Sequence, residues 1–298
     1  MIRLGTRGSH LARTQSGLIA DALAPFGPVE LVIIRSEGDD TTIPLDAPAR
    51  PGAFVATLQD ALLAKRVDVV VHSFKDLPSA PRPGLIVAAV PVRADPRDVL
   101  VARDGLTLAT LPAGATVGTS SPRRAAALLR ARPDLTIAPL RGNVDTRLRA
   151  VTEGRLDAIV LAAAGLQRIG LLSDAMTPLS PAVMLPAPAQ GALALECRDD
   201  DPLASQLATL DDREARLRVI AERTVLAEIE AACTTAVGAL ATRDGRALTL
   251  TADLAAHRGV DYARVTDTIA LPTEPPEALA AARSLGRRVA QALLAEAL

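Results

Sequence analysis

The sequence predicts an α/β fold through its first two-thirds, followed by a smaller α+β domain. Three observations carry this. Short apolar runs alternate with helical stretches, as they do when strands are joined by crossover helices. The runs Val67–Val71 and Ala158–Leu161 are continuously apolar, as strands are when both faces of a sheet are covered. Beyond Asp211 the pattern changes to a helix, a hairpin, another strand and a closing helix.

In chain order the strand-like runs are Ile2–Leu4, Val29–Ile34, Val67–Val71, Leu85–Val90, Thr116–Gly118, Leu135–Ala138 and Ala158–Leu161. Helices are expected at Leu11–Ala24, Ala56–Ala64, Arg123–Arg130 and Val144–Thr152. Such alternation implies largely parallel sheets, whose ligands sit beyond the carboxyl ends of the strands. Asp211 or Asp212 caps a helix that runs to about Ile229, with Leu217, Ile220, Ala221, Thr224 and Val225 on one face. Val237–Thr242 and Ala247–Leu254 read as strands joined through Asp244-Gly245, Tyr262–Ile269 as a third, and Glu277–Leu298 as the last helix. The proline-rich stretches Leu77–Gly84 and Thr177–Ala189 read as crossings between domains.

With 298 residues the chain is long enough for two or three domains with sizeable cores. Apolar residues make up 49% and aromatics only 1%, so those cores must be built from aliphatic side chains. The formal charge of −1 gives no general attraction to nucleic acid or membrane. Any anion site must therefore be a local gathering of basic groups. Lys65 and Lys75 are the lysines, and every other basic residue except histidine is arginine. Two cysteines make neither a disulfide framework nor a metal site. The opening MIRLGTRGS enters structure at once, which together with the cysteines makes the cytoplasm the expected location.

The local gatherings are visible. In GTSSPRR, Ser121 reads as an N-cap and Pro122 as the first helical residue, so Arg123 and Arg124 fall in the first turn. In RGNVDTR, Asn143 caps the next helix, with Arg141 ahead of it and Arg147 one turn in. TRGS places Arg7 after the first strand and Ser9 at a helix start, with Gln15 on the following turns. Arg168 follows another buried strand. A helix start exposes unpaired N–H groups and the positive end of the peptide dipoles, and arginine adds a planar fork for carboxylates. Three such turns point to a ligand bearing several negative groups, and the guanidiniums are expected to converge on one pocket.

VVVHSFKDLP sets His72, Lys75 and Asp76 at the end of a buried strand. An ionised Asp76 can stabilise a cation forming on a substrate. Lys75 can form a Schiff base, pair with a substrate carboxylate, or pair with Asp76 at a surface turn. His72 reads as a hydrogen-bonded strand-end residue. Cys233, in EIEAACTTAVGA, is either a nucleophile or covalent anchor, or a buried unreactive thiol; Glu228 and Glu230 nearby disfavour a low thiol pKa. Cys197 reads as unreactive.

These segments together resemble the porphobilinogen deaminase (hydroxymethylbilane synthase) family. TRGS, VHSFKD, RADPRD, GTSSPRR, RGNVDTR, DAIVLAAAGLQR, LPAPAQGA and ER…EAACTTAVG follow one another in the family's order. The resemblance implies two periplasmic-binding-protein-like α/β domains around a cleft, plus a third, smaller α+β domain. The expected boundaries are 1–91 with a return segment at 193–210, then 92–192, then 211–298. It implies a transferase of tetrapyrrole and haem biosynthesis, taking the small molecule porphobilinogen as substrate; a monomer is expected because no exposed apolar stripe stands out in the sequence. Four porphobilinogen molecules are joined head to tail to hydroxymethylbilane, with loss of ammonia, on one covalently bound dipyrromethane cofactor per chain. The cofactor's thioether falls on Cys233 and the catalytic carboxylate on Asp76. Lys75, Ser121, Arg123 and Arg124 then hold the cofactor, and Arg7, Ser9, Gln15, Arg141, Arg147, Arg168 and Gln190 bind substrate. No metal, nucleic acid or membrane is implied.

Some positions depart from the family pattern. Ala231 and Ala232 stand where two glycines are usual, and Ala236 replaces a proline. An alanine forced to positive φ costs about 1 kcal/mol. Pro51 and Ala56–Gln59 replace a basic loop and a charged helix start, while Phe74 and Pro122 replace other apolar residues. The rival readings are a non-catalytic polycarboxylate-binding protein and a paralogue that has lost cofactor attachment.

Overall fold

A computed structural model describes residues 1–35, 53–229, 236–256 and 261–297. It divides into two compact units, Met1–Ala94 with Ala192–Arg216, and Asp95–Gly191 with Leu217–Leu298. The first unit begins with β1 (Ile2–Thr6), α1 (His10–Leu23), β2 (Val29–Ile33), α2 (Ala53–Leu63), β3 (Val69–Ser73) and β4 (Leu85–Ala89). The chain then builds a sheet of the second unit from β5 (Asp98–Ala102), β6 (Thr116–Gly118), β7 (Thr136–Ala138), β8 (Ala158–Ala162) and β9 (Thr177–Pro178). Among these strands lie α3 (Pro122–Ala131), α4 (Val144–Thr152) and α5 (Ala163–Arg168). It returns to the first unit as β10 (Leu193–Arg198) and α6 (Leu203–Leu207), and α7 (Arg213–Glu228) leads back to the second. There β11 (Ala236–Asp244), β12 (Ala247–Ala256), β13 (Asp261–Ala270) and α8 (Pro275–Ala297) finish the chain. No helix among the described residues is long and apolar enough to cross a membrane.

In the first unit the strand order is β2-β1-β3-β10-β4. β1 is parallel to β2 and β3, while β10 lies antiparallel between β3 and β4. Successive residues of β3 face opposite sides. Val69 and Val71 join Leu4, Ile19 and Leu23 in one core, and Val70 joins Leu58, Leu62 and Val67 in the other. That two-sided burial is why the run is continuously apolar. Arg3 and Asp68 tie the start of β1 to the approach to β3, through the Arg3 N–H and a guanidinium bond of 2.6 Å.

The first sheet of the second unit has the order β7-β6-β8-β5-β9, again with one reversed strand, β5. Both five-stranded sheets are thus largely parallel, as expected. Neither β5 nor β10 was among the strands read from the sequence. DVLVA opens on a carboxylate, and LALECR carries a glutamate, a cysteine and an arginine, yet β10 is buried throughout. Internal partners permit this. Glu196 is held by Gln59 and His72, and Arg198 donates to the carbonyls of Leu62 and Val67.

The remaining sheet, β11-β12-β13, is antiparallel and packs with α7 and α8 around Leu217, Val225, Leu250, Leu285 and Val289. Gly245, at φ +54°, makes the turn of its hairpin. Asp212 is the cap of α7, accepting from the Ala215 N–H at 2.6 Å, while Asp211 takes the Val90 N–H and Arg216. Two sequence expectations fail: Leu77–Gly84 joins β3 to β4 within one sheet, and Thr177–Ala189 lies wholly inside the second unit and opens with β9, so neither is a crossing. The crossings lie at Ala94–Asp95, Gly191–Ala192 and within α7.

Two predictions follow from packing and charge. A Cβ on Gly238 would lie 2.4 Å from Asp253 Oδ1 and 2.8 Å from Leu185 Cβ. Gly238→Ala should therefore cost about 1–3 kcal/mol in chemical denaturation, as overpacking does; an unchanged midpoint would show that this contact relaxes freely. Burial pushes the Asp68 carboxyl up, but bonds from Arg3 outweigh it and hold the group below its ordinary 3.8. Its contribution is therefore present above pH 3.8 and lost as pH falls through the lower folded value. Asp68→Asn should lower the urea midpoint at pH 7, with the gap from the parent shrinking below pH 3.8.

Candidate active site at the carboxyl ends of the parallel strands

In the first unit β1 and β3 are parallel neighbours, so their carboxyl ends lie side by side. After β1 come Arg7, half-buried, and Ser9, whose hydroxyl caps α1 by accepting the Ala12 N–H at 3.4 Å. After β3 comes a single 3-10 turn, Phe74–Asp76. Buried Phe74 anchors it, with its N–H on the Ala192 carbonyl at 3.0 Å, and the Leu77 N–H closes it on the Phe74 carbonyl. Lys75 is half-buried and Asp76 exposed. Gln15 is buried on α1 and donates to Ser73 Oγ at 3.2 Å, joining the two turns. His72 faces the other way, with Nε2 2.9 Å from buried Glu196 Oε2. It is the hydrogen-bonded strand-end residue that the sequence suggested.

In the second unit β7, β6 and β8 are parallel neighbours, and each ends at one of the arginine motifs. Ser121 caps α3 by accepting the Arg124 N–H at 3.4 Å, and Asn143 caps α4 by accepting the Thr146 N–H at 2.9 Å. Both caps fall where the spacing put them. Ser120 Oγ bonds the carbonyl and the N–H of Leu140, each at 3.0 Å, lacing the two turns together. Gly142 takes φ +105°, which lets its carbonyl accept from Arg147 Nε at 2.8 Å. Arg141 is exposed beside it. Arg168 closes α5, the helix that follows β8. It donates to the Gly191 carbonyl at 2.6 Å, and burial lowers its pKa to about 10.

Arg123 and Arg124 are each 7% exposed and meet on one carboxylate, Asp98, which is fully buried. Arg123 Nη1 donates to Asp98 Oδ2 at 2.8 Å and to the Leu185 carbonyl at 2.5 Å. Arg124 gives Nε and Nη2 to Asp98 Oδ1, and Nη1 to the Val160 carbonyl. Gln190 joins them, donating to Asp98 Oδ1 at 3.0 Å and to the Pro96 carbonyl at 2.8 Å. Asp98 is the residue that sequence reasoning missed. Its signal was an aspartate heading an apolar run inside RADPRD. Ala189, buried at φ +62°, holds the neighbouring bend, with its N–H on Glu222 at 2.7 Å. Cys233, with Ala231 and Ala232, lies outside the described residues, as does Pro51.

These features define a class: an α/β protein whose two five-stranded sheets each end their parallel strands in turns that carry arginines and hydroxyl or amide caps. Residues 2–206 match the family model for the porphobilinogen deaminase dipyromethane cofactor binding domain, and residues 216–295 match that for the porphobilinogen deaminase C-terminal domain. The porphobilinogen deaminase of Cutibacterium acnes is 50% identical, over 98% of this chain and 94% of its own. That of Mycobacterium bovis is 52% identical over 89% of each, and that of Nocardia farcinica 55% over 80% and 70%. A putative methionine-binding lipoprotein of Bacillus subtilis, a solved structure, has a TM-score of 0.44 at 12% identity, covering 72% of this chain and 92% of that one. The chain belongs to the porphobilinogen deaminase family. Its activity is that of a transferase in tetrapyrrole biosynthesis, and its cofactor is dipyrromethane.

The donor set fits that group. Each pyrrole ring brings two carboxylates, and the strand ends offer guanidinium, ammonium and hydroxyl donors suited to them. Burial at Arg168 generates a test. Lysine placed there would have its ordinary value of about 10.4 pushed down by the same desolvation. In Arg168→Lys the KM for porphobilinogen, relative to the parent, should rise between pH 7 and 9 as the amine loses its proton. A ratio flat across that range would show that Arg168 does not meet the ligand.

Proposed function

We propose that this chain joins four porphobilinogen molecules head to tail into hydroxymethylbilane, releasing one ammonia per addition, with Asp76 as the catalytic carboxylate. The observation that carries the reading is the turn Phe74–Asp76. It is pinned by a buried ring and two backbone bonds, yet presents Asp76 exposed at the strand end beside Lys75. When bound through Cys233, the cofactor supplies the pyrrole carbon on which the chain is built. Ser121, Arg123, Arg124 and Lys75 are assigned to the site of its carboxylates, and Arg7, Ser9, Arg141, Arg147 and Arg168 to those of incoming substrate. Gln15 and Gln190 serve that site by bracing it, Gln15 through Ser73 and Gln190 through Asp98.

Loss of ammonia from the substrate's aminomethyl group leaves an azafulvenium-type cation. An ionised carboxylate in a fixed position lowers the energy of that cation without reorganising at the moment of reaction. Each charge-assisted carboxylate contact contributes on the order of 1.5–3 kcal/mol, which offsets the charge that a growing product accumulates.

The reading includes three domains, 1–91 with 193–210, 92–192 and 211–298. In its support, each of the three sheets draws its strands from one of these ranges. It also includes a monomer that works in the cytoplasm without nucleic acid. A formal charge of −1 supports the absence of nucleic acid, and a free, buried Cys197 fits a reducing compartment.

Intact mass tests the attachment. The purified chain should carry an adduct of two pyrrole rings that disappears in Cys233→Ser; unmodified parent protein would overturn the assignment. Asp76→Asn should keep the adduct or load it slowly, with kcat lowered about 100-fold or more. Near-normal turnover in that variant would remove Asp76 from its role.

A further inference from the structure

Arg123 and Arg124 are adjacent in sequence, equally buried and bonded to the same carboxylate, yet they are not held alike. Arg124 commits every nitrogen of its guanidinium, Nε and Nη2 to Asp98 and Nη1 to the Val160 carbonyl on β8. Arg123 makes both of its bonds through Nη1, to Asp98 and to the Leu185 carbonyl. Among the described residues its Nε and Nη2 make no bond. Those two N–H groups form the edge that grips a carboxylate with two parallel bonds. Asp98 itself is set by the sheet. It opens the reversed strand β5 opposite Ala162, the last residue of β8, and Gln190 adds a third donor to its carboxylate.

We propose that Asp98 is a positioning residue for the cofactor site and that the tandem arginines divide their work. Asp98 locks Arg124 as a strut between α3, β5 and β8. It holds Arg123 by one nitrogen, so that the opposite edge of that guanidinium faces a ligand carboxylate. The ligand chemistry is a pyrrole carboxylate, and the inference rests on the functional reading above. The division follows from geometry. A guanidinium with three nitrogens engaged cannot turn without breaking several bonds, whereas one held at Nη1 keeps its recognising edge and has its direction fixed.

The test compares Arg123→Lys, Arg124→Lys and Asp98→Asn. Lysine keeps the charge opposite Asp98 but has no two-pronged edge. Apoprotein made without porphobilinogen is exposed to porphobilinogen, and covalent loading is followed by intact mass alongside the thermal midpoint. Arg123→Lys should load at least tenfold more slowly and raise KM at least fivefold, with a midpoint near the parent's. Arg124→Lys should lower the midpoint by several degrees, while its KM rises less than that of Arg123→Lys. Asp98→Asn should show both effects. Should Asp98→Asn fail to fold, the lysine pair still decides the matter. Equal effects of the two lysine variants on loading, or the reverse order, would overturn the division of work and leave the functional reading standing. Parent-like loading and KM in both would overturn the assignment of this arginine pair to the cofactor site. An Asp98→Asn protein that is only less stable, with normal loading and KM, would reduce Asp98 to a structural residue.

Discussion

One carboxylate shared by two guanidiniums inside the second unit sets the order of much around it. Asp98 has no exposed surface, and its partners Arg123 and Arg124 are nearly sealed. Taking such groups out of water is costly unless geometry and further hydrogen bonds compensate. Here compensation comes from the Val160 and Leu185 carbonyls and from the Gln190 amide. Four segments, β5, α3, β8 and the bend before β10, are therefore placed relative to one buried atom pair. Removing a single member would leave charge behind rather than simply a gap. The cluster is a weak source of net stability and a strong source of fixed geometry.

The reversed strands explain how that carboxylate reaches the carboxyl ends of the parallel strands at all. In a wholly parallel sheet the first residue of a strand lies at the edge remote from the ligand. β5 runs against β8, so Asp98 falls beside Ala162, at the strand's carboxyl end. β10 does the same in the other unit, where Leu193 pairs with Ser73 and the Ala192 carbonyl takes the Phe74 N–H. The turn bearing Asp76 is thus braced by the beginning of a reversed strand. Each five-stranded sheet uses one inverted strand to bring support, charged in one case and backbone in the other, to the carboxyl ends of its parallel strands.

Much of this was legible before any coordinates. The caps Ser9, Ser121 and Asn143 are local signals, because the side chain that stops the backbone is the one that pairs with it three residues on. The strand β3 was legible because two-sided burial demands an unbroken apolar run. β5 and β10 were not, because their polar residues are paid for by partners far along the chain. Glu196 needs Gln59 and His72, and Asp98 needs residues from Arg123 to Gln190. Periodicity cannot register a charge whose partner sits well outside its own element, 25 residues away for Asp98 and Arg123 and 124 for Glu196 and His72. The same distance hid the unequal bonding of Arg123 and Arg124, which look interchangeable in GTSSPRR. The place of Gln15 on the first helix was legible, whereas its link to Ser73 appears only when α1 folds back across β3.

The return of the chain as β10 has a consequence for biosynthesis. β10 sits in the interior of the first sheet, between β3 and β4, although all of residues 95–191 are made before it. A nascent chain leaving the ribosome therefore holds β4 without its hydrogen-bonded neighbour while nearly a whole further sheet is synthesised. During that interval the facing edges of β3 and β4 are open to wrong partners. Folding of the amino-terminal unit cannot be completed as it emerges, and the order of translation works against the order of assembly.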